Sequence, residues 1–273
     1  MPELPEVETI KRELNKEIIS KTIVDVEILY PKAINLPPEE FRKRIKGKKI
    51  EEIKRRAKVL LLKLSNNLNL VIHLKLSGQL IFRKQKTKEK YTSLIIYFSD
   101  KSLLYFNDVR KFGYVKLFDS QELTSFWQKM GFGLEPLSKE FTLEKFRQIL
   151  KERSKSKIKP LLMDQSVIAG IGNVYSQESC FCAKILPYRL AGSLTNQESK
   201  NLYNCLIKIL RAAIDKKGSS VDDYLDIYGE EGKYLPFLKV YRREGEKCYR
   251  CGAKIKKIVL AGRGTYFCPN CQK

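Results

Sequence analysis

The sequence predicts an α+β fold: a strand-rich first half closed as a sandwich or barrel, a helical second half, and a cysteine module at the end. Three observations predict it. Short strand-like runs separated by turn signals crowd residues 48–118, which is the spacing of an all-β sandwich or barrel. From about residue 121 the apolar spacing turns helical. Two Cys-x-x-Cys pairs, Cys248/Cys251 and Cys268/Cys271, close the chain.

The chain opens with MPELPEVET. Pro5 suits the first turn of a helix, and Glu6 and Glu8 suit its positive end. Val7, Ile10, Leu14 and Ile18 then give one apolar face. Residues 22–30 alternate as a strand, Pro31, Pro37 and Pro38 mark a loop, and residues 39–46 read as a short helix ended by Gly47. Strand-like runs follow at 48–56, 58–64, 69–75, 79–83, 91–98, 102–107 and 113–118. Asn66-Asn67, Gly78 and Ser99-Asp100 supply turns between them. The polar stretch 84–90 (KQKTKEK) reads as a mobile hairpin tip.

Residues 121–130 and 142–152 are expected to be helical, with Gly131, Gly133 and Pro136 marking a domain boundary between them. A basic run, 153–159, enters a helix near Pro160. AGIGN at 169–173 precedes a helix at 174–184, and Thr195 with Glu198 forms a capping box for a long helix over 195–216. Residues 217–240 are loop-rich and charged. No internal repeat is visible.

The charge balance narrows the partner. The 273 residues carry 53 Lys+Arg against 31 Asp+Glu, a net +22, and such an excess favours a polyanionic partner, nucleic acid before membrane; a solvated surface in a lysine-rich organism is the alternative. The sequence holds no apolar run of membrane-spanning length, no lipidation signal and no secretory layout at its start. A cytoplasmic location is therefore expected. Cys180, Cys182 and Cys205, in apolar helical context, read as core thiols of a reducing compartment. The single histidine, His73, excludes metal sites built on several imidazoles.

Two stretches carry chemistry. Met is removed before small residues, so the mature chain is expected to begin with the secondary amine of Pro2. An α-amino group titrates near ~8, leaving part of it free base at neutral pH. A free amine attacks an electrophilic carbon, and from a secondary amine the adduct is a permanently charged iminium, a strong electron sink. Glu3 stands beside it as a proton shuttle. A purely structural reading, helix capping alone, competes here. At the other end, sixteen residues separate the two cysteine pairs. That spacing places four thiolates around one structural zinc ion per chain; two disulfides are the alternative. Arg263, flanked by Gly262 and Gly264, sits at the tip of the expected hairpin. AGIGN exposes backbone N–H groups to an anion. It lacks the Lys-Ser/Thr of a nucleotide loop, so a nucleic-acid phosphate is the better ligand.

Together MPELPEVET, RRAKVLLL (55–62), HLKLSGQL (73–80), DVRKFG (108–113), IKPLLMDQ (158–165), GIGNVYSQE (170–178) and the cysteine module span the whole chain. In these motifs it resembles the formamidopyrimidine-DNA glycosylases, within the wider family that includes endonuclease VIII. The resemblance implies a β-sandwich catalytic domain (1–131), a hinge (132–141), a helix–two-turn–helix domain with a lesion-capping loop (142–240) and a zinc-finger hairpin (241–273). It implies a monomer acting on double-stranded damaged DNA lying between the domains, without membrane association and with the nucleoid-associated activity of a bacterial enzyme. The activity implied is base-excision repair: removal of 8-oxoguanine and formamidopyrimidines, then β,δ-elimination at the abasic site. Flipping is required because C1′ is unreachable inside the base stack. Pro2 is implied as nucleophile, Glu3 and Lys58 as proton handlers, and Arg263 as a phosphate ligand linked to the second elimination. Leu76, Arg110 and Phe112 would fill the hole left by the flipped base. His73, Tyr91, Lys155, Lys159 and Asn173 would contact DNA.

The chain departs from the family pattern in three places. Leu76 replaces the usual Met, similar in volume but stiffer. Residues 91–93 are Tyr-Thr-Ser where many members have His-Asp-His. Segment 221–237 matches the capping loop only at its Gly-Ser-Ser start, 218–220. The rivals are a glycosylase of the same chemistry with another base preference, a catalytically silent DNA-binding protein, and a zinc-ribbon transcription factor. Intact Pro2, Glu3 and Lys58 argue against the silent DNA-binding protein, since binding alone needs none of them, and a zinc-ribbon factor would need neither an N-terminal Pro nor a β-sandwich.

Overall fold

A computed structural model describes residues 1–273. The chain forms two compact units, one of Met1–Met130 with Ile214–Leu235 and one of Gly131–Ala213 with Pro236–Lys273. The segment 214–235, assigned from sequence to the helical domain, thus folds with the N-terminal unit.

The N-terminal unit starts with α1 (Leu4–Glu17). Its strands are β1 (Ile23–Ile28), β2 (Ile50–Arg56), β3 (Val59–Leu64), β4 (Leu68–His73), β5 (Gly78–Arg83), β6 (Thr92–Phe98), β7 (Leu103–Asp108) and β8 (Tyr114–Phe118). They make two antiparallel four-stranded sheets, ordered β1-β6-β7-β5 and β2-β3-β4-β8. Two helices complete the unit, α2 (Pro38–Ile45) and α3 (Ser120–Met130). Alternate residues such as Leu60, Leu62, Leu80, Phe82, Leu94, Ile96, Leu104 and Phe106 join one core with Val7, Ile10 and Leu14 of α1. This is the two-layer packing of a sandwich, with a helix closing one edge of the core.

The first sheet is apolar on its outer face as well. Ile81, Ile95, Leu103 and Tyr105 form a second cluster there, and Leu225 packs against it. That explains the near-continuous apolar runs in β5–β7. The stretch Lys217–Glu230 is the strap that covers this sheet. Ile227 accepts the Phe82 N–H at 2.7 Å, and Tyr224 and Ile227 are buried in the core. The 84–90 segment, expected to be mobile, is pinned: Thr87 exchanges hydrogen bonds with the Tyr105 hydroxyl, and Glu89 pairs with Arg83 at 2.9 Å.

The second unit holds α4 (Leu143–Glu152), α5 (Ile158–Met163), α6 (Asn173–Cys182) and α7 (Asn196–Asp215), then the hairpin of β9 (Lys256–Leu260) and β10 (Arg263–Phe267). The expected capping box is present: Thr195 N–H donates to Glu198, and Glu198 N–H donates to Thr195 Oγ1 at 3.2 Å. One cysteine expectation is corrected. Cys182 and Cys205 are not thiols but a disulfide, because the end of α6 faces the middle of α7 with the Cα atoms 5.8 Å apart, a distance a disulfide spans. Cys180 remains a buried thiol, and burial pushes it up to about 12.

The strap is held by charge. Lys217 Nζ lies 2.7 Å from Glu13 of α1 and 2.9 Å from Asp226, both buried carboxylates. Burial pushes the Glu13 carboxyl above the ordinary range, against the pull of Lys217. Lys217→Met should therefore destabilise the N-terminal unit by ~2 kcal/mol at neutral pH, less than for a fully buried pair because Lys217 is half in water. The deficit should shrink as pH falls, since the Glu13 carboxyl, raised by burial, takes up a proton and loses its stranded charge. Urea unfolding from about pH 7 to about pH 5 would measure both effects.

Candidate functional site

The start of the chain is fixed in place. Leu4 through Ile10 are buried, as are Pro2 and Glu3. Glu3 is the N-cap of α1, in a capping box with Glu6. Glu6 Oε2 accepts the Glu3 N–H at 2.8 Å, and its Oε1 accepts the Ser219 N–H at 2.8 Å. Glu6 thereby ties the chain start to the strap. Gly218 has φ +80°, and a Cβ there would meet the Glu6 side chain at 2.8 Å, so only glycine fits. The α-ammonium of Met1 lies 3.5 Å from Asp222 on the strap.

Lys58 sits in the two-residue turn between β2 and β3, which pair Arg56 with Val59. Ala57 takes the left-handed conformation, φ 54°, that a tight hairpin demands. Arg55 braces the turn: it donates to the Ala57 carbonyl at 2.8 Å and to Glu8 of α1 at 2.9 Å. Burial raises the Glu8 carboxyl, but Arg55, Lys11 and Arg12 outweigh it and hold it below the usual range. The hairpin bearing Lys58 is thus bolted to the helix bearing Pro2 and Glu3. His73 pairs with Val59 across β3–β4, and its Nδ1 accepts the Lys75 N–H at 3.0 Å. That fixes the neutral tautomer with its proton on Nε2.

A second loop presents Arg110 and Phe112. The buried Asp108 carboxylate accepts Ser77 Oγ at 2.6 Å and the N–H groups of Arg110 and Gly113 at 3.2 and 2.7 Å. Ser77 in turn accepts the Arg110 N–H at 3.0 Å. The turn carrying half-buried Leu76 is therefore tied to the loop carrying Arg110 and Phe112. Phe112 is 58% exposed, with the Arg110 guanidinium 5.6 Å from its ring centre. A Cβ on Gly113 would strike Phe106 at 2.6 Å. Tyr91, at the entry to β6, is 60% exposed with φ 59°, and its carbonyl accepts the Asp108 N–H at 3.0 Å.

In the second unit, Lys155 and Arg263 are exposed, whereas Lys159 is fully buried. Its ammonium donates to Thr265 Oγ1 at 2.6 Å and reaches the Gly264 carbonyl at 3.4 Å. Lys159, expected as a phosphate contact, thus supports the strand that carries Arg263. Asn173, at the start of α6, donates to the same carbonyl at 3.4 Å. Further along α6, Gln177 accepts the Tyr266 N–H at 2.6 Å. Buried Glu178 accepts the N–H groups of Lys239, Val240 and Tyr241 at 2.9–3.0 Å. Burial pushes Glu178 up against those three donors. Phe181 packs with Val240, Cys248, Ile255 and Cys268. Sequence inspection missed these anchors; the signal was a polar Gln-Glu pair inside an otherwise buried helix.

The four terminal cysteines converge, all Sγ atoms within 4.8 Å of one another. Cys248–Cys271 and Cys251–Cys268 stand 3.9 and 3.5 Å apart, against edges of about 3.8 Å for a tetrahedral thiolate site with ~2.3 Å bonds. The Ala253 N–H and neighbouring sulfurs draw Cys251 down to about 7, while burial and the other thiols push Cys271 up to about 12. Four such groups ionise together only around a cation, so the cluster fits a metal with no open ligand position.

His73 gives a direct check. Burial, then Lys75 and Lys58, lower it to about 3. Its ring resonances should stay on the neutral plateau from about pH 8 to about pH 5; a midpoint near ~6.5 would contradict the site geometry. Between those two values the unfolded chain binds a proton that the folded one refuses. The imidazole's contribution to stability is therefore complete above ~6.5 and is lost as pH falls toward 3.

Residues 1–115 match the formamidopyrimidine-DNA glycosylase N-terminal domain, 132–224 its H2TH domain, and 245–273 a zinc finger found in FPG and IleRS. A formamidopyrimidine-DNA glycosylase of Heliobacterium modesticaldum is 43% identical over 278 residues, covering 100% of both chains. The Lactococcus lactis protein of the same name is 40% identical, again over 100% of both. A solved complex of the Lactococcus lactis Fpg with DNA containing an abasic site superposes at a TM-score of 0.92, with 38% identity over 99% of each chain. A complex of that Fpg with Fapy-dG-containing DNA superposes at 0.90, with 39% identity, covering 99% of this chain and 100% of that one.

Proposed function

The chain belongs to the formamidopyrimidine-DNA glycosylase family, and on that premise we propose that it is a bifunctional glycosylase and abasic-site lyase whose nucleophile is the Pro2 amine. The family membership makes it a DNA-repair glycosylase acting on damaged bases. The observation that carries the finer reading is the anchoring of the chain start: Pro2 and Glu3 are buried at the head of a helix bolted to the Lys58 hairpin and the strap.

The Pro2 nitrogen bonds to C1′ of a flipped nucleotide as the C1′–base bond breaks, and the base leaves with that electron pair. The sugar opens to an iminium. Its positive nitrogen draws electrons from C2′, so a C2′ proton is lost and the 3′ phosphate is expelled. The δ-elimination then expels the 5′ phosphate. Glu3 handles protons on the sugar, and Lys58 assists from its turn. Arg263, carried on a strand propped by Lys159 and Asn173, binds phosphate for the second elimination. Lys155, Asn173 and His73 contact the DNA backbone; neutral His73 does so as an Nε2–H donor. Leu76, Arg110 and Phe112 wedge into the space the base vacates, and Tyr91 borders the DNA. The substrates are oxidised purines, 8-oxoguanine and formamidopyrimidines, in duplex DNA. The metal is one structural zinc on Cys248, Cys251, Cys268 and Cys271, and the working form is a cytoplasmic, nucleoid-associated monomer.

Leaving one extra residue before Pro2 converts the amine to an amide. Duplex binding should survive, while strand cleavage and borohydride trapping on 8-oxoguanine DNA disappear. Nicking of abasic DNA at the wild-type rate by the blocked protein would place the nucleophile elsewhere. Cys251→Ser should release the metal and weaken DNA binding while the N-terminal unit stays folded. Metal analysis finding no zinc in pure, active wild-type protein would refute the zinc assignment.

A further inference from the structure

Residues 219–223 form a turn fixed at both ends to the N-terminal unit. At one end Ser219 N–H is held by Glu6, and Ser220 Oγ donates to the Tyr224 carbonyl at 2.7 Å and accepts the Gly232 N–H at 2.9 Å. At the other end the Gln79 side chain donates to the Asp223 carbonyl, and Tyr224 is buried in the sandwich core. Between these anchors Asp222 presents an exposed carboxylate 3.5 Å from the Met1 α-nitrogen. The Pro2 nitrogen follows three bonds along the chain, ~3–4 Å from that position. Once Met1 is removed, Pro2 carries the only α-ammonium, at the end of the chain that the turn faces.

We propose that Asp222 is a positioning residue for the Pro2 amine, its carboxylate holding the N-terminal cation where attack on C1′ occurs. This rests on the reading of Pro2 as nucleophile. The nitrogen becomes positive as it attacks and stays positive in the iminium, and a fixed carboxylate favours both states over the neutral amine. Asp222 forms no bond and takes no proton in this role. The other charged groups of this region are Glu3 and Glu6 on α1, Asp223 beside Asp222, and Lys58 on the hairpin braced to α1. Lys217 is committed to Glu13 and Asp226.

The test uses full-length protein whose first residue is Pro2 by intact mass. Asp222→Asn is compared with Asp223→Asn, the same charge change one residue away. Borohydride trapping on a pre-formed abasic site is followed across pH. Asp222→Asn should move the acidic limb down by ~0.5 pH unit, because the amine loses a stabiliser of its charged form. Its plateau should fall by ~3-fold as the nitrogen loses its anchor. Asp223→Asn should leave the limb in place. A merely structural role would lower the rate without moving the limb, and that result would overturn the proposal. Equal displacement by both variants would also overturn it, as an unspecific field effect. No trapping by the wild type despite intact DNA binding would instead overturn the Pro2 reading, and this inference with it.

Discussion

The Glu6 carboxylate is the hinge-pin of the N-terminal unit. Chain ends fray unless they are tied down, and the nucleophile proposed at Pro2 needs the opposite of fraying. One oxygen of Glu6 fixes the Glu3 N–H and the other fixes the Ser219 N–H. A single buried side chain therefore sets both the first turn of α1 and the first turn of the strap. The Glu8–Arg55 pair adds the Lys58 hairpin to the same rigid body. Buried carboxylates of this kind are costly alone and stable only when every oxygen finds a donor. That requirement explains why three glutamates, Glu3, Glu6 and Glu8, crowd one helix start.

The second unit solves a similar problem with one helix. Positions 173, 177, 178 and 181 of α6 lie along one side and each grips the cysteine module or the segment leading into it. A small metal module has too little core to hold its own orientation. Here its orientation is borrowed from α6, and Lys159 props the same β-strand from α5.

Much of this was legible in the sequence. The strands from 48 to 118, the Thr195–Glu198 capping box and the convergence of four cysteines follow from alternation, capping chemistry and spacing. The residues Pro2, Glu3, Lys58, Arg110 and Phe112 stood out through motifs, and the structure sets each on a fixed turn or helix start. What was not legible depends on tertiary partners. Lys159 stood out through its motif as a phosphate contact, and nothing in that motif shows that Thr265, over a hundred residues away, receives its ammonium. The Cys182–Cys205 bond needed the packing of α6 on α7. The strap read as charged loop because Lys217, Glu13 and Asp226 neutralise one another only once folded.

The strap also makes sequence order a poor guide to the parts of this molecule. The N-terminal unit is assembled from two stretches, with the second arriving only after the chain has built four helices elsewhere. Translation therefore delivers the sandwich incomplete. Until residue 227 emerges, Phe82 on the edge strand lacks its carbonyl partner and the outer cluster around Ile81 and Tyr105 lacks its cover. An open edge beside an uncovered apolar patch invites pairing with another chain. On the ribosome the first unit to begin folding is thus among the last to finish, and a fragment ending after α3 would hold all eight strands but lack the strap that covers one of its sheets.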